Sequence, residues 1–167
     1  MIVVLALAVL PTARAQTFSV AYGSYGSLHT FFSPDFGAFP HFGAFVAGEV
    51  DLERFNIGAR LSGTSFLFLM WTVGLDAYVG YTLESGLNIY IGAGARLWAI
   101  WFPASLSFSD LHGLIGVRFP NDFFLELAPG VTFQPRCVSS NPAQSCSSLQ
   151  WTALPSVGIN FGVRLRP

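Results

Sequence analysis

Between residues 70 and 100 the side chains alternate in character. Trp71, Val73, Leu75, Ala77, Val79, Tyr81 and Leu83 are apolar or aromatic, as are Leu87, Ile89, Ile91, Ala93, Ala95 and Leu97. Between them lie Thr72, Gly74, Asp76, Tyr78, Gly80 and Thr82, then Asn88, Tyr90, Gly92, Gly94 and Arg96. A period of two places successive side chains on opposite faces of a strand. Glu84-Ser85-Gly86 separates the two runs as a turn, so the stretch predicts a long hairpin with one apolar face. The other face carries an acid and an arginine in mid-strand.

The same period recurs along the chain. It predicts strands over residues 17–25, 42–52, 55–61, 70–83, 87–100, 109–119, 123–133 and 151–165. Connections alternate between long and short. Residues 26–41, 63–69, 101–107 and 134–150 read as long loops. Glu53-Arg54, Glu84-Ser85-Gly86 and Pro120-Asn121-Asp122 read as tight turns, the last with a proline that presets the backbone. In a soluble sheet a second layer would cover the apolar face. Nothing in this chain could form that layer, and lipid is the simplest solvent for such a face.

Composition sharpens the choice. The chain is 52% hydrophobic and only 10% charged, against a usual charged fraction of roughly a quarter. Beyond the first residues there is no run of about 18 uncharged apolar residues that could form a spanning helix. A chain that crosses lipid without helices must be a closed barrel, because no backbone polar group can stay unpaired there. The expectation is therefore all-β: an eight-stranded antiparallel up-and-down transmembrane β-barrel over residues 16–167. Long loops would face outward, and short turns and both termini the periplasm. Residues 1–15 read as a secretory signal, with an apolar core from Ile2 to Leu10, then Pro11 and the cleavage pattern Ala13-Arg14-Ala15. The net charge of -1 gives no electrostatic case for nucleic acid.

The placement of charge is the most informative chemistry. Glu49, Arg60, Asp76, Arg96, Arg118, Glu126 and Arg164 all share the face of the glycines and small polar residues. Pairing the hairpins by their turns sets Glu49 diagonal to Arg60, Asp76 to Arg96, and Glu126 to Arg118, within reach of long side chains. Eight strands enclose a lumen that side chains alone can fill, so these residues predict internal ion pairs that close it. The alternative is a gated polar path. Cys137 and Cys146, in one polar loop of an exported protein, predict a disulfide. His29 and His41 fall in the first loop, and two histidines without a third ligand make a weak metal site. No cofactor or metal is expected. Phe31, Phe32, Phe36, Phe39, Phe66, Phe68, Trp71, Trp101 and Phe102 cluster in the loops. They read as an aromatic girdle at the headgroups, or else as an apolar mouth for a greasy ligand or a partner.

With this architecture, a signal segment and the alternating closing strand VGINFGVRL, the chain resembles the small eight-stranded outer-membrane barrels of the OmpA transmembrane domain and OmpX type. The resemblance implies a bacterial outer-membrane location, surrounding lipid as partner, a barrel-assembly machinery during insertion, and a monomer. The group includes structural anchors, adhesins, small pores and lipid-modifying enzymes, so fold does not decide function. Lipid A deacylases of this fold place a serine two residues after a histidine. Here Leu114 follows His112 at that spacing, and the nucleophile that a triad requires is missing. The expected function is non-enzymatic: a structural or envelope-surface role, with a narrow channel or hydrophobic-ligand transporter as the alternative. A surface ligand at the loops is compatible with either.

Overall fold

The computed structural model describes residues 17–33, 36–66, 70–100, 106–138 and 148–166. These residues form eight strands and no helix. In chain order they are β1 (Thr17–Ser33), β2 (Phe36–Leu52), β3 (Phe55–Phe66), β4 (Met70–Thr82), β5 (Asn88–Ile100), β6 (Leu106–Arg118), β7 (Phe123–Val138) and β8 (Ser148–Leu165). Each strand pairs antiparallel with the next, and β8 pairs with β1, so the sheet closes on itself. Closure leaves no open sheet edge along the paired region. One level of the ladder runs from Thr17 through Asp51, Asn56, Gly80, Tyr90, Gly116, Glu126 and Asn160, and returns to β1 at Ser27, ten residues further on. Such a stagger goes with strands tilted roughly 35–45° from the barrel axis.

The barrel is inside-out relative to a soluble one. In β4, buried and exposed positions alternate without a break from Met70 to Gly80. The exposed set is apolar, with Leu97 at 67%, Leu75 at 60% and Ile91 at 58% exposure. The buried set is polar or charged, with Glu49 and Asp76 at 1% and Asp110 at 0%. A lipocalin-like barrel needs the opposite distribution. Inward glycines make room for inward rings: a methyl on Gly58 would lie 2.6 Å from the Tyr78 ring, and one on Gly116 would strike the Tyr90 ring.

The loop-side strand ends lie beyond the expected ones. Residues 26–41, expected as a loop, are mostly strand, because β1 continues to Ser33 and β2 starts at Phe36. The prolines and glycines that suggested a loop do not end the ladder. Pro40 lies beyond Phe42, the last β2 residue paired with β3, so the strand there has one neighbour and tolerates a residue without N–H. The other loops shorten too: β3 reaches Phe66, β6 begins at Leu106, β7 reaches Val138 and β8 begins at Ser148. Pro129 does interrupt a ladder. Between His112↔Gly130 and Ile115↔Leu127, β6 and β7 pair no residues.

The three turns match the expected positions. Glu53 (φ 57°), Gly86 (φ 82°) and Asp122 (φ 60°) adopt the left-handed backbone of tight reversals. Residues 1–15, read as the signal, and Cys146 lie outside the described residues. Cys137 ends up in β7, in register with Leu149 of β8, so the disulfide expectation also falls on residues not described.

Candidate functional site

The lumen is the site, and its polar groups fall into two networks and a third cluster. Toward the turn side, Glu49 of β2 is the focus. Its Oε1 accepts from Arg118 Nη2 at 2.8 Å, Arg164 Nη1 at 2.5 Å and the Tyr78 hydroxyl at 2.7 Å. The donors come from β6, β8 and β4, so this one carboxylate ties four strands across the lumen.

The second network centres on Arg60 of β3. Its Nε and Nη2 donate to Asp76 Oδ2 at 2.9 and 2.8 Å. Its Nη1 and Nη2 also grip both oxygens of Glu126, at 2.6 and 3.0 Å. The Glu126 carboxylate accepts further bonds from the Tyr90 hydroxyl (2.8 Å) and Asn160 Nδ2 (3.0 Å), and Ser27 donates to Asn160 at 2.6 Å. Phe45 and Phe124 flank the guanidinium at 5.7 and 5.9 Å, a cation–π arrangement that also keeps water away.

A third cluster lies toward the loop side. His112 Nε2 meets Asp76 Oδ1 at 2.9 Å, and its Nδ1 lies 3.4 Å from Asp110 Oδ1. His29 Nε2 is 3.9 Å from Asp110 Oδ2. The Trp98 ring packs against both His29 (5.0 Å) and His41 (5.3 Å). His29 and His41 are therefore lumen residues of β1 and β2, not loop residues. The alternation that places Ser27 inward simply continues through His29. Among the described residues, no group of three or more His, Cys, Asp or Glu could hold a metal ion. Thr64 and Thr72 hydrogen-bond to each other near this end.

The seven charged residues expected in the lumen all lie there, buried. The partners differ from the expected diagonals. The register is the expected one: Glu49 faces Gly58, Asp76 faces Gly94 and Glu126 faces Gly116. Yet Arg60 bonds Asp76 and Glu126 rather than Glu49, and Arg118 bonds Glu49 rather than Glu126. Arg96 does not bond Asp76, and its Nε and Nη1 have no hydrogen-bond partner. In so narrow a barrel an arginine reaches the far wall. Arg60 thus combines its directly paired neighbour, Asp76 of β4, with Glu126 across the lumen, while Arg118 and Arg164 reach Glu49 on the far wall.

Sequence reasoning missed Asp110, Trp98, Phe45 and Phe124, all buried inside. Asp110 shares the parity of His112 and was legible from that alone. The aromatics break the rule that the inner face is small or polar. With Asp110 included, the described lumen holds four arginines (Arg60, Arg96, Arg118, Arg164) and four acids (Glu49, Asp76, Asp110, Glu126). With neutral histidines its charge balances.

Outside the lumen, Arg54 at the first turn donates to Glu84 at 3.0 Å and to the Tyr81 hydroxyl at 3.5 Å. The bond to Tyr81, then that to Glu84, pushes its pKa above the ordinary arginine value.

No protein-family model matches this chain, and no curated protein does either. Solved structures do. Neisserial surface protein A superposes with a TM-score of 0.52 at 12% identity, over 92% of this chain and 100% of that one. The fold is that of a small outer-membrane barrel. Ail, the attachment invasion locus protein of Yersinia pestis, gives a TM-score of 0.44 at 12% identity, over 89% of this chain and 97% of that one. At such identity the likeness is one of fold.

Proposed function

We propose that this protein is a bacterial outer-membrane barrel with a structural or envelope-surface role, its lumen held shut by the internal ion-pair networks. The observation that carries the reading is the filled interior. The space left among Phe45, Tyr78, Tyr90 and the Arg60 and Arg118 guanidiniums is about 10 Å³, room for about one water molecule. An open pore needs a continuous wet path, and two layers of cross-lumen bonds stand in it. In this reading the short turns and both termini face the periplasm, insertion uses the barrel-assembly machinery, and the protein works as a monomer without catalysis. His112 lies against Asp76 and Asp110, and the residue two positions on is the buried Leu114, so the His-x-Ser spacing of the lipid A deacylases is not present. The test is single-channel recording of the refolded protein in planar bilayers. Silence is expected; steady unitary conductance in the unmodified protein overturns the closed lumen.

One observation favours the second reading, a carrier of hydrophobic ligands. An apolar cleft of about 410 Å³ is lined by Trp71, Val73, Leu97, Trp98, Ala99, Ser109 and Trp151, toward the loop side of the wall. Saturable quenching of tryptophan fluorescence by a brominated fatty acid, weakened in Leu97→Ala, is the result this reading requires.

A further inference from the structure

Strand β1 enters the barrel at Thr17, whose register partner is Asp51 of β2. Asp51 is half-buried and helps to line the turn-side mouth, a polar bowl of about 340 Å³. The cations of this end are already engaged. Arg54 holds Glu84 at 3.0 Å, and Arg166 lies 3.9 Å from Asp122. Arg118, which also lines the bowl, spends its guanidinium on Glu49. Among the described residues, neither Asp51 nor the exposed Glu53 of the adjoining turn forms an ion pair. Antiparallel pairing constrains what precedes Thr17. Carried one residue further, the register sets Gln16 beside Leu52, flanked by Asp51 and Glu53. The backbone nitrogen of a residue so placed falls within roughly 5–8 Å of the Asp51 backbone, a gap that a carboxylate side chain and a free chain end can close.

We propose that Asp51, with Glu53 beside it, seats this chain's own processed N-terminus, the α-ammonium of Gln16. The inference rests on the reading of residues 1–15 as a secretory signal cleaved after Ala15. In the unprocessed chain the nitrogen of Gln16 is a neutral amide. Cleavage turns it into an ammonium with three donors. Because β1 begins one residue later, at Thr17, the new charge is carried at the end of a paired strand and not on a long tail. Its place and its sign match the acid that lines the mouth without a cation. Removal of the signal thereby completes the ion pairs of the turn-side rim and adds a tie between β1 and β2 that the unprocessed chain lacks. The site lies at the opposite end from the loops and is independent of the surface role proposed above.

The test uses a peculiarity of the sequence. All the Lys and Arg positions are arginine, so the α-amine is the only primary amine of the mature chain. The mass of the protein isolated from envelopes reads the processing. A chain beginning at Gln16 is expected, and any other start overturns the signal reading and the proposal with it. A mass lower by one ammonia overturns the proposal alone. It means that the α-nitrogen has bonded to the side-chain carbonyl carbon of Gln16, the amide nitrogen has left, and the charge is gone. The pairing is read from the rate at which N-hydroxysuccinimidyl acetate acylates the amine of the folded barrel in detergent micelles, followed by mass spectrometry. The comparison is Asp51→Asn with Glu53→Gln, which keeps shape and removes charge. Only the neutral amine reacts, so the unmodified protein should react about two- to fivefold more slowly than the variant, the effect of a partly exposed ion pair. The difference should vanish at about 1 M salt, where charges are screened within about 3 Å, and in the urea-unfolded chains. Folding of the variant is checked by a gel shift on boiling. Should it fail to fold, Asp51→Asn alone serves, with a change of the same sign. Equal rates in the folded proteins, or a difference that persists in high salt or in urea, overturn the proposal.

Discussion

Arg60→Met is the most discriminating perturbation of the lumen. Arg60 is buried and spends four N–H···O bonds on two acids. Methionine fills much of the same stem but leaves Asp76 and Glu126 without their cation. Breaking a buried pair by removing one partner costs about 3–5 kcal/mol. Here two carboxylates are stranded, but neither is left bare. Asp76 keeps His112, and Glu126 keeps Tyr90 and Asn160. The expected loss is therefore about 4–5 kcal/mol, near the top of that range rather than twice it. Adding Asp76→Asn and Glu126→Gln should restore part of the loss, giving a triple variant less destabilised than the sum of the singles by more than about 1 kcal/mol. The assay is equilibrium urea unfolding in lipid vesicles, read by tryptophan fluorescence. Arg96→Met provides the contrast and should cost clearly less, because two of its guanidinium nitrogens bond nothing. A hairpin-diagonal lumen would make Arg96 as costly as Arg60. Equal losses at the two arginines, or singles that sum to the triple within about 0.5 kcal/mol, would show that Arg60 does not bridge those acids.

Other consequences are open to direct measurement. The folded protein should be heat-modifiable, migrating differently on a gel before and after boiling, because a closed barrel with paired backbone groups resists detergent; identical migration would contradict closure. Charge on the outer wall should be penalised by depth: Ala93→Arg in mid-strand by about 2–4 kcal/mol and Leu165→Arg at the turn-side end by about 0–1 kcal/mol, in lipid-based unfolding. Gly116→Ala, which drives a methyl into the Tyr90 ring, should cost about 1–3 kcal/mol. Gly63→Ala, whose nearest neighbour would stand 3.9 Å away, should cost less in the same assay. Cys137 and Cys146 should resist thiol labelling in unreduced envelope protein, and labelling of both would rule out their disulfide.

The strand count, the face assignment and the register of the turn hairpins were legible because each follows from local rules. Parity places Asp76 inside and Leu75 outside wherever the strand lies, and Glu84-Ser85-Gly86 fixes which residues meet across it. The loop-side ends were not legible. Prolines and glycines between residues 26 and 41 signal a break only if the strand needs partners on both sides, and in that region β2 has lost one of them. The ion-pair partners were hidden for a different reason. They join residues such as Arg60 and Glu126, 66 positions apart, and only the finished circumference brings them within reach. His29 illustrates both limits: a misplaced strand end assigned it to a loop, so its meeting with Asp110 could not be foreseen.

The cross-lumen bonds also govern how the barrel can form. Glu49 joins β2 to β4, β6 and β8, while Arg60, Glu126 and Asn160 join β3 to β4, β5, β7 and β8, and Ser27 adds β1. No run of adjacent strands satisfies either set by itself. A half-built sheet would present arginines and carboxylates to hydrocarbon with their partners still absent, an arrangement that lipid penalises heavily. The charges thus disfavour partly assembled sheets in bare lipid, so their burial is complete only once the barrel has closed.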